Sequence, residues 1–133
     1  MSAEELGKLK QVYVDMLGFV PPKVQARLDD MAIHDPELLR AQEHARSLVL
    51  ANPHLDPVTV QLILVAVLGV QVRDATALHV AAALRAGASE EQIRGALGLA
   101  YLFGGQSVAN HTPEYLARGR DLLAKGQPAE ATR

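Results

Sequence analysis

The chain has 133 residues, a formal net charge of -2 and no cysteine, which excludes disulfides, thiolate nucleophiles, cysteine zinc sites and iron–sulfur ligation within it. Hydrophobic residues make up 49% and aromatics only 4%, so the expected core is aliphatic and alanine-rich, within a single domain. No basic run is present, so nucleic-acid binding lacks its electrostatic footprint.

Apolar residues recur at helical spacing and period-2 strands are absent, so the chain reads as all-α. Helix one is predicted over Ala3–Leu17, with Leu6, Leu9, Tyr13, Met16 and Leu17 in one stripe and Gly18 as its stop. Pro22 opens a second helix that reaches Ile33, because proline's missing N–H is not needed in a first turn. Asp35-Pro36-Glu37 opens a third, over Pro36–Ala51. Asp56-Pro57 repeats the device and opens a fourth, over Pro57–Leu68. Its VTVQLILVAVL run is apolar on most sides, which predicts the buried central helix. Gln61 is its only long polar side chain and must bond neighbouring backbone or face a polar cavity.

Gly69–Val72 reads as a break, after which Asp74 can cap a fifth helix that stops at Gly87. Ser89-Glu90-Glu91-Gln92 is a capping-box pattern opening a sixth, with Ile93, Ala96, Leu97, Ala100, Tyr101 and Gly104 on its packing face. A seventh lies within Gln106–Lys125, and Pro113 predicts a kink or fresh start near Thr112. Residues 126–133 read as a frayed tail. Short loops favour an antiparallel helical bundle of six or seven helices, one domain over 1–133 that includes the N-terminal helix at 1–18. The acidic start, MSAEELGK, and the short apolar runs lead to the expectation of a soluble, cytoplasmic protein with no membrane partner.

Candidate chemistry centres on Arg73–Gly87, RDATALHVAAALRAG. His79 is flanked at helical positions by Ala75, Ala82, Ala83 and Ala86. Small residues beside an imidazole leave room for a ligand, and burial would lower its proton affinity toward neutral acid–base work. The structural alternative is a core histidine bonded to a backbone carbonyl. His111, in SVANHTPEY, is a site residue at a kink or a surface histidine. Asn110 is an oxyanion donor or a helix cap. Arg73 is a two-point carboxylate clamp or a solvated cation. Tyr101 offers a hydroxyl to a pocket or packs in the core. His34, His44 and His54 read as surface residues, and no metal site is expected because His79 and His111 lack ligand-type neighbours.

Leu55-Asp56-Pro57, the apolar helix after it, and LHVAAALRAGASEEQIRGALGLAYLFGG resemble the carboxymuconolactone decarboxylase family, grouped structurally with AhpD-like alkylhydroperoxidase proteins. The resemblance spans about residues 19–123, including GFVPP and DPEL, and Gly104–His111 is similar to the decarboxylase branch in particular. The redox branch carries Cys-x-x-Cys-x-x-x-His with an earlier glutamate. Here the histidine matches His79, the cysteine positions fall on Val72 and Ala75, and the glutamate position falls on or beside Gln61. A peroxidase mechanism needs a thiolate that this chain does not have.

The resemblance implies a cofactor-free lyase of aromatic catabolism, acting on a small lactone or carboxylate and assembled as a homo-oligomer, a trimer or hexamer. It implies His79 as general acid/base, His111 with Asn110 as oxyanion stabiliser or second proton carrier, and Arg73, Gln61 and Tyr101 around the substrate. The competing function is a non-catalytic binding or structural oligomer that kept the fold after losing the thiols.

Overall fold

The computed structural model describes residues 1–127, and most of the tail expected over 126–133 lies outside them. The described residues form seven helices and no strand: α1 (Ala3–Leu17), α2 (Pro22–His34), α3 (Pro36–Leu50), α4 (Pro57–Val70), α5 (Ala75–Arg85), α6 (Glu90–Gly104) and α7 (Gln106–Lys125). The all-α bundle read from periodicity is the observed class. Local signals set most of the ends. Asp35 and Asp56 accept from Leu38 N and Thr59 N, and Ser89 and Gln92 complete a reciprocal capping box.

The helices gather into two compact units, Met1–His54 and Leu55–Arg133. In the first, Leu6, Leu9 and Met16 of α1 pack with Val24, Leu28, Met31 and Ala32 of α2 and Leu39 of α3. Beside this apolar cluster lies a polar one that periodicity does not reveal. Glu43 is only 7% exposed. Its oxygens accept from the Tyr13 hydroxyl at 3.1 Å, and Oε1 also accepts from Arg27 Nη2 at 2.6 Å. The Arg46 guanidinium sits 4.4 Å from the Tyr13 ring centroid. A carboxylate taken from water needs such partners, because an unpaired buried charge is strongly destabilising. Burial first, then the Glu43 charge, push the Tyr13 phenol above its usual range against the pull of Arg46.

In the second unit α4 packs on α5 and α6, and α7 packs on the same two. Thr76, Val80 and Arg85 of α5 meet Tyr115, Gly119 and Gly126 in that order, so α5 and α7 run in the same sense. Sequence neighbours α6 and α7 are antiparallel, with Glu90 paired to Arg120 at one end and Gly104 against Val108 at the other. Val65, Val80, Ala83, Ile93, Leu97, Val108, Tyr115 and Leu116 form the core.

The expected central position of α4 is corrected. Only Gln61, Val65 and Gly69 are buried, while Ile63 is 46% and Val67 47% exposed. The helix stands at a corner of the bundle, so its far side has no neighbour within the unit. The predicted break at Gly69–Val72 also shifts, since Gly69 and Val70 continue the helix.

Two further expectations change. Asp74 makes no side-chain cap, because its own backbone is already helical (φ -57, ψ -33) and its carboxylate turns toward Arg118 at 3.7 Å. Helix seven is neither restarted nor interrupted at Pro113. Just before the proline, His111 Nδ1 and Thr112 Oγ1 each donate to the carbonyl four residues back, at 2.7 and 2.9 Å. These side-chain bonds support the turn where the proline removes a backbone donor.

Helices α4 and α5 end in the same motif with different residues. Val72 N bonds Gly69 O and Arg73 N bonds Leu68 O; Gly87 N bonds Leu84 O and Ala88 N bonds Ala83 O. The pivotal residue is left-handed in both, Gly87 at φ 107 and Val72 at φ 51. A β-branched residue is strained there, at a cost of about 1–2 kcal/mol. Val72→Gly is therefore expected to raise unfolding stability by about 1 kcal/mol in denaturant titrations. Helix glycines should divide by surroundings in the same assay. A Cβ on Gly119 would lie 2.8 Å from Val80 Cβ, whereas one on Gly95 meets nothing within 4 Å. Gly119→Ala should cost about 2 kcal/mol through overpacking, and Gly95→Ala should add about 1 kcal/mol of stability.

Candidate functional site

The site is built on the seam between α4 and α5. Asp56 and Pro57 fix the start of α4, which places Gln61 one turn in, on its buried side. Gln61 is 7% exposed. Alanines at 77, 81, 82 and 83 bury most of α5 and leave His79 half-buried beside α4. Gln61 Oε1 accepts from His79 Nδ1 at 2.8 Å. An amide oxygen can only accept, so this pairing places a proton on Nδ1. The pairing joins two sequence candidates and supplies the partner a buried amide requires.

His111 has different company. Its Nδ1–H donates to Ser107 O at 2.7 Å, and its ring stacks on Tyr115 with centroids 5.7 Å apart. Tyr115 is buried beside Thr76, whose hydroxyl donates to Arg73 O at 2.6 Å. Burial pushes the Tyr115 phenol above its usual range, so it stays neutral across the physiological range. His111, Tyr115 and Thr76 thus lie side by side between α7 and the start of α5. Neither Tyr115 nor Thr76 was a sequence candidate. The available signals were Tyr115 four residues beyond His111, on the same helix face, and Thr76 as the one hydroxyl in an alanine-rich helix.

The remaining candidates lie at the surface. Arg73 is exposed, and its guanidinium has no hydrogen bond or ion pair among the described residues. Asn110 is exposed and is not a cap; its Oδ1 accepts from Gln106 Nε2 at 3.3 Å. Tyr101 was placed on the packing face of α6 but is 45% exposed. It lines an open groove between α6 and α7, where Gln106 stands opposite. The core face of α6 runs instead through Ile93, Leu97 and Ala100, and Gly104 approaches Val108 closely. Among the described residues no group of three or more His, Asp and Glu side chains could hold a metal ion, and no helix is long and apolar enough to cross a membrane.

Gln61→Leu tests the pairing. Removing the acceptor should raise the share of the Nε2–H tautomer of His79, read from imidazole ¹⁵N shifts. An unchanged tautomer ratio in a folded variant would show that the amide does not set the proton's position.

Searches of curated proteins and of solved structures give no significant match. The sequence profile described as the carboxymuconolactone decarboxylase family matches residues 36–117. That segment holds Gln61, His79, Tyr101 and His111, and it covers more than half of the sequence. The chain is a member of the carboxymuconolactone decarboxylase family.

Proposed function

We propose that this protein is a cofactor-free lyase or lactone-processing enzyme that decarboxylates a small unsaturated lactone carboxylate by histidine-mediated proton transfer. The observation behind this reading is the Gln61–His79 pair, in a cysteine-free member of the family. Without a thiolate, the peroxide chemistry of the redox branch has no nucleophile. An imidazole anchored through Nδ1 is suited to moving a proton at Nε2.

The step balances without a redox partner. The bond between the substrate's α-carbon and its carboxylate breaks, and carbon dioxide leaves. The electron pair passes into the conjugated lactone as a dienolate. Protonated His79 returns a proton to carbon through Nε2 and regains one from water. Gln61 accepts from Nδ1 in both charge states, so the ring keeps its orientation through the cycle. An oxyanion donor completes the scheme. His111 and Asn110 are the assigned groups, and Arg73, with no ion pair among the described residues, is the assigned carboxylate clamp. The same reading places the protein in the cytoplasm as a homo-oligomer. The exposed side chains of Ile63, Val67 and Phe103 on α4 and α6 support an assembly.

A non-catalytic binding protein is the second reading. It is favoured by the separate engagement of His111 by Ser107 and Tyr115, and by the exposure of Asn110.

The deciding measurement is carbon dioxide release from β,γ-unsaturated lactone carboxylates by wild type and His79→Ala. The expected loss in kcat/KM is about 10²-fold or more, with helical circular dichroism unchanged. Equal rates in the two folded proteins would refute the role of His79. Saturable binding without turnover across the panel would favour the second reading.

A further inference from the structure

The groove between α6 and α7 has a volume of about 410 Å³. On α6 it presents Arg94, Gly98 and Tyr101, a stripe at i, i+4 and i+7. On α7 it presents Gln106, Ala109 and Thr112. We propose that this groove is a second ligand site, for a small flat carboxylic acid bearing a hydrogen-bonding group at its far end. The proposal does not rest on the chemistry assigned to His79.

Charge sets one end. Arg94 has no hydrogen bond or ion pair among the described residues. Glu90, one turn earlier, does not neutralise it, because Glu90 is held by Arg120 at 2.6 Å. A guanidinium edge of this kind binds a carboxylate at two points. The floor is apolar and shallow, because Gly98 and Ala109 have little or no side chain and Leu97 lies beneath. A Cβ on Gly98 would meet nothing within 4 Å, so packing inside the chain does not require glycine there. Glycine nevertheless destabilises a helix interior relative to alanine.

The far end is polar. Tyr101 lies about 10 Å along the helix from Arg94. Gln106 spends one N–H on Asn110 and keeps its carbonyl oxygen as an acceptor. Thr112 donates to Val108 O, so its oxygen remains an acceptor. A flat acid with a hydroxyl opposite its carboxylate satisfies both ends while its ring covers Gly98 and Ala109.

The probe is 4-hydroxybenzoate, with 4-hydroxybenzamide as the neutral control, titrated into the ¹⁵N-labelled full chain. Amides of Gly95, Gly98 and Gln106 should shift saturably with the acid. The amide control and Arg94→Gln should each weaken binding about tenfold. Gly98→Ala should also weaken binding while raising thermal stability, which separates loss of the site from loss of the fold. His79→Ala should bind as wild type does. Shifts centred elsewhere, equal affinity in Arg94→Gln, or no saturation at millimolar probe would overturn the proposal. So would a change of sedimentation in Gly98→Ala, which would assign the groove to a second copy of the chain.

Discussion

The second unit depends on how closely α5 and α7 approach at Gly119. With no side chain there, Val80 sits directly over the α7 backbone and Ala77 O lies 3.5 Å from where a Cβ would be. This contact brings Tyr115 level with Thr76 one turn earlier. It also fixes the rotation of α5. With Val80 and Ala77 committed to α7, the neighbouring position, His79, is directed to α4, where Gln61 receives it. A single small residue on one helix thereby orients an imidazole whose partner is on another. The physical reason is the density of helix packing, in which a displaced contact is felt by every side chain on the same face.

The chemistry of the seam follows from what the chain lacks. An amide beside an imidazole differs from a carboxylate beside one. It fixes which nitrogen holds the proton without adding a charge, so it orients the ring without holding it in the imidazolium form. Val72 and Ala75, on which the sequence resemblance puts the redox branch's cysteines, are a strained left-handed valine and an alanine at the start of α5. Val72 retains the backbone geometry of the turn without any reactive group. Neither position carries a group that could be oxidised as a thiol is.

Surface features divide in the same way. Helix four is apolar beyond what its own unit covers, and Phe103 at 91% exposure is apolar without any cover there. The first unit does the reverse and buries Glu43, with Tyr13 and Arg27 closing the charge inside three helices. Both depart from simple inside–outside patterning. The exposed apolar side chains of α4 and α6 lack cover within their unit, and Glu43 belongs to a network whose members satisfy one another.

Helix positions were legible in the sequence because their causes are local. Asp35 and Asp56 before prolines, Ser89 with Gln92, and Gly18 and Gly87 act within one turn of themselves, and hydrophobic spacing needs only the helix it lies on. The absence of cysteine likewise excludes thiol chemistry from composition alone. What required tertiary structure was every relation between helices. Periodicity placed Gln61 and His79 on their inner faces but not against each other. It did not show that His111 leans on Tyr115, that Tyr101 opens onto a groove, that Glu43 is buried, or that α4 stands at a corner. Those outcomes depend on which faces meet and at what rotation, set by close contacts such as Val80 on Gly119 between residues far apart in the chain.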